Sequence, residues 1–129
     1  IELFFISPMD GFQSNSKDFK VEFGVKNIVI SPAGIEVQKT KKCHVSGHHH
    51  LIINESYDVI SNKDLPIPFE RNVLHFGGGQ TEATLSLPAG KYNLQLVLGD
   101  YEHKPIKPLR PNQLDNPIVS NKINIEILP

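Results

Sequence analysis

One cysteine, Cys43, stands alone in 129 residues, which excludes an internal disulfide and any all-cysteine metal site. A lone cysteine fits either redox compartment and so decides nothing about location. Long hydrophobic runs are also missing. The longest are short stretches such as Leu3 to Ile6 and Leu96 to Leu98, far below the roughly 20 apolar residues of a membrane span. Neither sign of charge is in excess: 13 Lys and Arg face 14 Asp and Glu, for a net charge of -1, so no global field draws nucleic acid or anionic lipid. Ten prolines and nine glycines are scattered so that few windows could hold three helical turns, and no substantial helix is expected. What is left is 39 % hydrophobic and 21 % charged, enough apolar material for one core, and residues 1–129 read as a single domain. The chain opens at Ile1 with no signal peptide, which suits a protein whose export signal has been removed. A periplasmic or secreted location is the expectation that follows.

The hydrophobic pattern has period two almost throughout. Phe19, Val21 and Phe23 alternate with Lys20 and Glu22, placing the apolar side chains on one face of a strand. Ala83, Leu85 and Leu87 alternate likewise. Tyr92, Leu94, Leu96 and Leu98 form the clearest strand, and Ile123, Ile125 and Ile127 a closing one. Ile28 to Ile30 is a short apolar run stopped by Ser31-Pro32-Ala33-Gly34. About seven short antiparallel strands separated by turns predict an all-β, immunoglobulin-like sandwich. The turn Pro88-Ala89-Gly90 ahead of Tyr92 matches the corner of such folds, where a tyrosine hydroxyl anchors the loop; the other reading makes Tyr92 an ordinary core aromatic. Residues 55–69 and 99–117 are irregular and proline-bearing.

The most unusual segment is Gly47-His48-His49-His50-Leu51-Ile52-Ile53. Alternation along a strand puts His48 and His50 on one face and His49 on the other with Leu51 and Ile53. His49 is then expected to be buried and hydrogen-bonded. His48 and His50 form a His-x-His pair whose imidazoles sit about 6–7 Å apart, near enough to share a metal. A third ligand is sought in His75, His103 or His44, with Asp100, Glu82 and Glu102 as carboxylate candidates. Imidazole and carboxylate ligands suit a divalent metal such as copper or zinc. The competing reading makes the same histidines internal hydrogen-bonding groups of a structural or protein-interaction domain. A second feature, Gly77-Gly78-Gly79-Gln80, precedes Thr81 and Glu82. Three consecutive glycines suit a backbone that closely approaches another backbone or a ligand. No Gly-Lys-Ser or Gly-Lys-Thr and no helix follow, which excludes a phosphate loop.

Known catalytic arrangements fail in turn. No serine sits in a nucleophile elbow, Cys43 next to His44 does not make a catalytic pair, and no carboxylate pair is marked for glycoside hydrolysis. Nothing in the sequence marks an enzyme.

Three motifs carry a resemblance to a known family: Gly47 to Asn54, Leu74 to Glu82 with its triple glycine, and Leu94 to Asp100 with His103-Lys104-Pro105. Together with Phe5 to Gly11 and Ser31 to Glu36, they resemble the bacterial family known as domain of unknown function 4399. The resemblance implies an exported protein and maps the family's histidine motifs onto His48, His49, His50, His75 and His103. It assigns no activity. The family pattern commonly closes its histidine strand with an aspartate where this chain has Asn54, so a ligand or acceptor role for that carboxylate is weakened here. The expectation is therefore an exported module with a histidine-lined site for a divalent metal or small ligand. Its candidate ligands are His48, His50, His75 and His103, supported by His49, Gly77, Gly78, Gly79, Gln80, Glu82 and Asp100.

Overall fold

The computed structural model describes residues 2–26, 28–30, 45–55, 57–58, 61, 65–67, 72–76, 80–100 and 118–129. Cys43, His44, Gly77, Gly78, Gly79, Glu102 and His103 lie outside them. The described residues form nine strands and no helix: β1 (Glu2–Ser7), β2 (Phe12–Ser14), β3 (Asp18–Lys26), β4 (Ile28–Ile30), β5 (Val45–Ile53), β6 (Val73–His75), β7 (Glu82–Ser86), β8 (Gly90–Gly99) and β9 (Ile123–Ile127).

They build two sheets. One runs β1-β3-β7; the other runs β2-β9-β8-β5-β4, with β6 also paired to β5. The apolar alternation dictates how they meet. Leu3, Phe19, Val21, Phe23 and Leu85 of the smaller sheet interdigitate with Leu51, Ile53, Leu94, Leu96, Leu98, Ile123, Ile125 and Ile127 of the larger one in a single core. The outward side chains of the smaller sheet are polar where β3 meets β7: Lys20 bridges Glu22 at 3.1 Å and Glu82 at 3.0 Å across exposed surface. A β-sandwich is thus the class of this protein.

Two ladders depart from the all-antiparallel, immunoglobulin-like pattern, and there are more strands than the seven expected. β2 runs parallel to β9, and β4 runs parallel to β5. The first follows from how the chain changes sheets after β1. At the tight turn, Asp10 Oδ1 accepts the Asn124 N–H at 2.7 Å and the Gly11 N–H donates to the Asn124 carbonyl at 2.7 Å. Gly11 adopts φ 89°, which favours glycine. The chain therefore leaves the turn already docked on β9 and runs alongside it in the same direction.

The expected corner is present. Tyr92 donates its hydroxyl to the Pro88 carbonyl at 2.6 Å while its ring packs against the core, so both readings of this residue hold at once. Tyr92→Phe keeps the ring and loses the bond, and should lower stability by about 1 kcal/mol in a denaturant titration. An unchanged midpoint would show that the anchor contributes nothing.

No sequence pattern marked the segment before β9. Beyond Leu94, the place beside β8 passes from β9 to residues 118–120. Leu98 donates to the Ile118 carbonyl at 3.1 Å, the Ser120 N–H to the Leu96 carbonyl at 2.9 Å, and Val119 bridges Val97. Buried Ser120 completes the join, its hydroxyl accepting the Leu96 N–H at 2.8 Å and donating to the Asn121 carbonyl at 2.9 Å.

Candidate functional site

The three histidines lie in the middle of β5, the most enclosed strand of the larger sheet. On one side β5 pairs with β8, setting His48 opposite Gly99, His49 opposite Leu98 and His50 opposite Val97. On the other side β4 covers residues 45–47 and β6 covers residues 50–52, so the histidines span the change from one neighbour to the next. Alternation acts as expected. His49 joins Leu51 and Ile53 on the face toward the smaller sheet; His48 and His50 share the outer face with Ile52. All three are fully buried, at 0 % exposure.

The outer face gathers a third imidazole through register. His75 on β6 stands directly opposite His50. The His50 and His75 rings meet edge to face with centroids 4.4 Å apart, and the His48 and His50 rings are tilted together at 4.6 Å. The pair is closer than strand spacing alone suggested, because the rings lean toward each other. Ile52, Val73 and Val97, packed with Ile67, form an apolar surround on this face.

Gly99 makes the arrangement sterically possible. A Cβ at this position would stand 2.7 Å from His50 Nδ1 and closer still to Cε1, so the ring occupies space that only glycine leaves open. Sequence reasoning treated Gly99 only as the start of an irregular stretch. Its signal was a glycine directly after the apolar run Leu96 to Leu98, which asks for close approach of a neighbour.

On the inner face, His49 stacks on Phe23 with ring centroids 4.8 Å apart, and Phe23 in turn packs on Phe76 at 4.9 Å. Here the expectation of a hydrogen-bonded histidine fails: neither ring nitrogen of His49 has a partner among the described residues. The Phe76 N–H does bond the His49 backbone carbonyl at 3.0 Å, but the ring itself faces hydrocarbon. Burial pushes the His49 pKa down from 6.5 to about 4; the nearby Gln80 backbone raises it without forming a bond of proper geometry, and His48 lowers it further.

The other expected residues separate. Glu82 lies in the opposite sheet, exposed and ion-paired with Lys20. Gln80 is exposed, and its backbone lies near His49. Asp100 is half-buried directly after Gly99. Asn54, where the resemblance led one to expect an aspartate, adopts φ 56° just past β5. Its Oδ1 accepts the Asn93 N–H at 3.0 Å, and its own N–H donates to the Asn93 carbonyl at 2.8 Å. At about 3.3 Å per residue it is roughly 13 Å from His50, so this position closes a strand end and ligates nothing on the histidine face. Among the described residues, no three histidine, cysteine or carboxylate side chains stand in metal-holding geometry as the rings now lie.

The family model described as "Domain of unknown function (DUF4399)" matches residues 21–128. The chain belongs to this family. The match takes in β5, β6 and β8 with all their histidines, and begins after the Phe5 to Gly11 stretch. No curated protein and no solved structure matches the chain.

Proposed function

We propose that this chain is an exported binding module whose histidine face takes up a transition metal ion of the copper or zinc kind. His48 and His50 of β5 and His75 of β6 are the residues that would hold it. One observation carries this reading. The register of β5 against β6 and β8 brings three imidazoles into ring contact on a buried outer face, with a glycine set where any larger residue would displace the central ring. An apolar core gains nothing from three stacked imidazoles that leucine or valine would not supply better. His103 is the further candidate ligand from the sequence. Export is the expectation carried by the family resemblance, and fractionation of cells expressing the full-length protein checks it.

The second reading, a structural domain, is favoured by the stacking itself and by the lack of converging ligands among the described residues. Melting curves separate the two. At metal about 100-fold above Kd, binding should stabilise the fold by about 2.7 kcal/mol, raising Tm by roughly 10 °C. That shift, unlike Tm itself, should vanish in His48→Ala and His75→Ala. It should also shrink as the pH falls far enough to protonate the rings, since a protonated imidazole cannot ligate. Absence of any shift, together with metal-free protein on elemental analysis, would leave the structural reading standing.

A further inference from the structure

We propose that the outer face of β2, β9 and β8, at the end of the larger sheet away from the histidines, binds a saccharide. This inference stands apart from the metal-binding reading. Val97, the partner of His50, lies four residues along β8 from Asn93, roughly 13 Å at about 3.3 Å per residue.

Register builds the site. Phe12, Tyr92 and Ile125 turn their side chains to the core, so alternation puts Gln13, Lys91, Asn93, Asn124 and Glu126 on the opposite face. They form two rows across the strands. Gln13, Glu126 and Lys91 make one, and Asn124 and Asn93 the other. With Gly11 beside them, these residues line an open trough of about 360 Å³. That is the small end of the roughly 300–1,000 Å³ of ligand pockets, and it suits one or two sugar rings.

The lining selects the chemistry. Lys91 and Glu126 stand directly opposite each other, with Cβ atoms about 5 Å apart. Glu126 nevertheless takes its bond from Gln13, at 3.2 Å, and no ion pair joins it to Lys91 among the described residues. A ligand carboxylate drawn to Lys91 would meet Glu126 beside it, and a ligand ammonium drawn to Glu126 would meet Lys91. A hydroxyl suits both, accepting from the ammonium and donating to the carboxylate. The two asparagine amides each offer a donor and an acceptor, and set the same demand one row further on. Adjacent ring hydroxyls supply that pairing of roles at neighbouring atoms.

The two asparagines are also fixed from both flanks. Asn124 donates its N–H to Asp10 Oδ1 at 2.7 Å and accepts the Gly11 N–H at 2.7 Å. Asn93 donates its N–H to Asn54 Oδ1 at 3.0 Å and accepts the Asn54 N–H at 2.8 Å. Their main-chain groups therefore point away from each other. That makes them the non-hydrogen-bonded kind of antiparallel pair, whose side chains stand closest. Holding the pair in place before a ligand arrives lowers the ordering cost of binding. Phe12 and Tyr92 pack inward, so hydrogen bonds and not ring stacking read the sugar, and the affinity is modest.

The test uses the whole chain labelled with nitrogen-15, in which the side-chain amides of Gln13, Asn93 and Asn124 report directly in NMR spectra. Glucose, galactose, N-acetylglucosamine, maltose and cellobiose are titrated in turn, with glycine and acetate as zwitterionic and anionic counterparts. The expected result is a saturable shift of those amides with at least one sugar. Asn124→Ala and Lys91→Ala, both at exposed positions, should each weaken binding about tenfold, the loss of one hydrogen bond. Lys20→Ala, in the other sheet, should leave it unchanged. A disaccharide held more tightly than glucose would mark the end of a glycan as the occupant, and equal affinity a free sugar. Tighter binding of glycine or acetate at the same amides would overturn the saccharide assignment. So would the absence of a saturable shift with every sugar, or a shift that survives both variants.

Discussion

Lowering the pH from 7 to 4 should remove about 3 kcal/mol of folding stability through His49 alone. Its ring is neutral in the fold down to about pH 4, whereas the same imidazole in the unfolded chain takes a proton near 6.5. Above pH 6.5 neither state binds a proton and the full stability is present. Between 6.5 and 4 the unfolded chain binds a proton that the folded chain refuses, so acid pulls toward unfolding. Below about 4 both states bind it and the loss levels off. His49→Leu removes the titrating group from the contact with Phe23 and should flatten this slope. At pH 7 the variant should be as stable as the parent or more so, because two buried nitrogens without partners among the described residues are replaced by hydrocarbon. Denaturant titrations at several pH values measure both effects. An equally steep acid loss in His49→Leu would assign it to other groups.

Gly99→Val should be the most damaging single change in the larger sheet, costing about 3 kcal/mol. Its Cβ alone would fall 2.7 Å from His50 Nδ1. The ring is fully buried between Val97 and His75 across the two ladders, so it cannot swing out of the way freely. The double variant Gly99→Val/His50→Ala should be considerably more stable than the sum of the single changes, because removing the ring removes the clash. Simple additivity would show that the cost at Gly99 comes from the β8 backbone and not from the imidazole.

The parts of this architecture legible in the sequence were those set by local alternation. The inward residues of β3, β8 and β9 all joined the core, and alternation alone assigned His49 to one face and His48 with His50 to the other. What the sequence did not reveal depended on pairing between distant segments. Ring contact between His50 and His75 exists because β6 meets β5 in one particular register, and register is a tertiary property. The parallel β2–β9 and β4–β5 ladders leave no short-range signal comparable to a hairpin turn. Alternation also suggests that the face opposite the core is solvated, whereas His48 and His50 are as buried as any core leucine. Asn54, considered in the sequence as a weakened ligand or acceptor, closes a strand end, where its side-chain oxygen accepts from Asn93 just as an aspartate could.

The parallel pairing of β2 with β9 has a mechanical consequence. A pull toward the N-terminal side of Phe12 and the C-terminal side of Ile127 drags these two strands past each other lengthwise, because they point the same way. Their ladder, reinforced at the Asp10–Asn124 and Gly11–Asn124 bonds, is then loaded in shear, with every bond bearing tension together. An antiparallel hairpin pulled at its open end instead peels one bond at a time. The cross-over at residues 8–11 thus makes this small sandwich resist stretching along that axis far better than its modest size suggests.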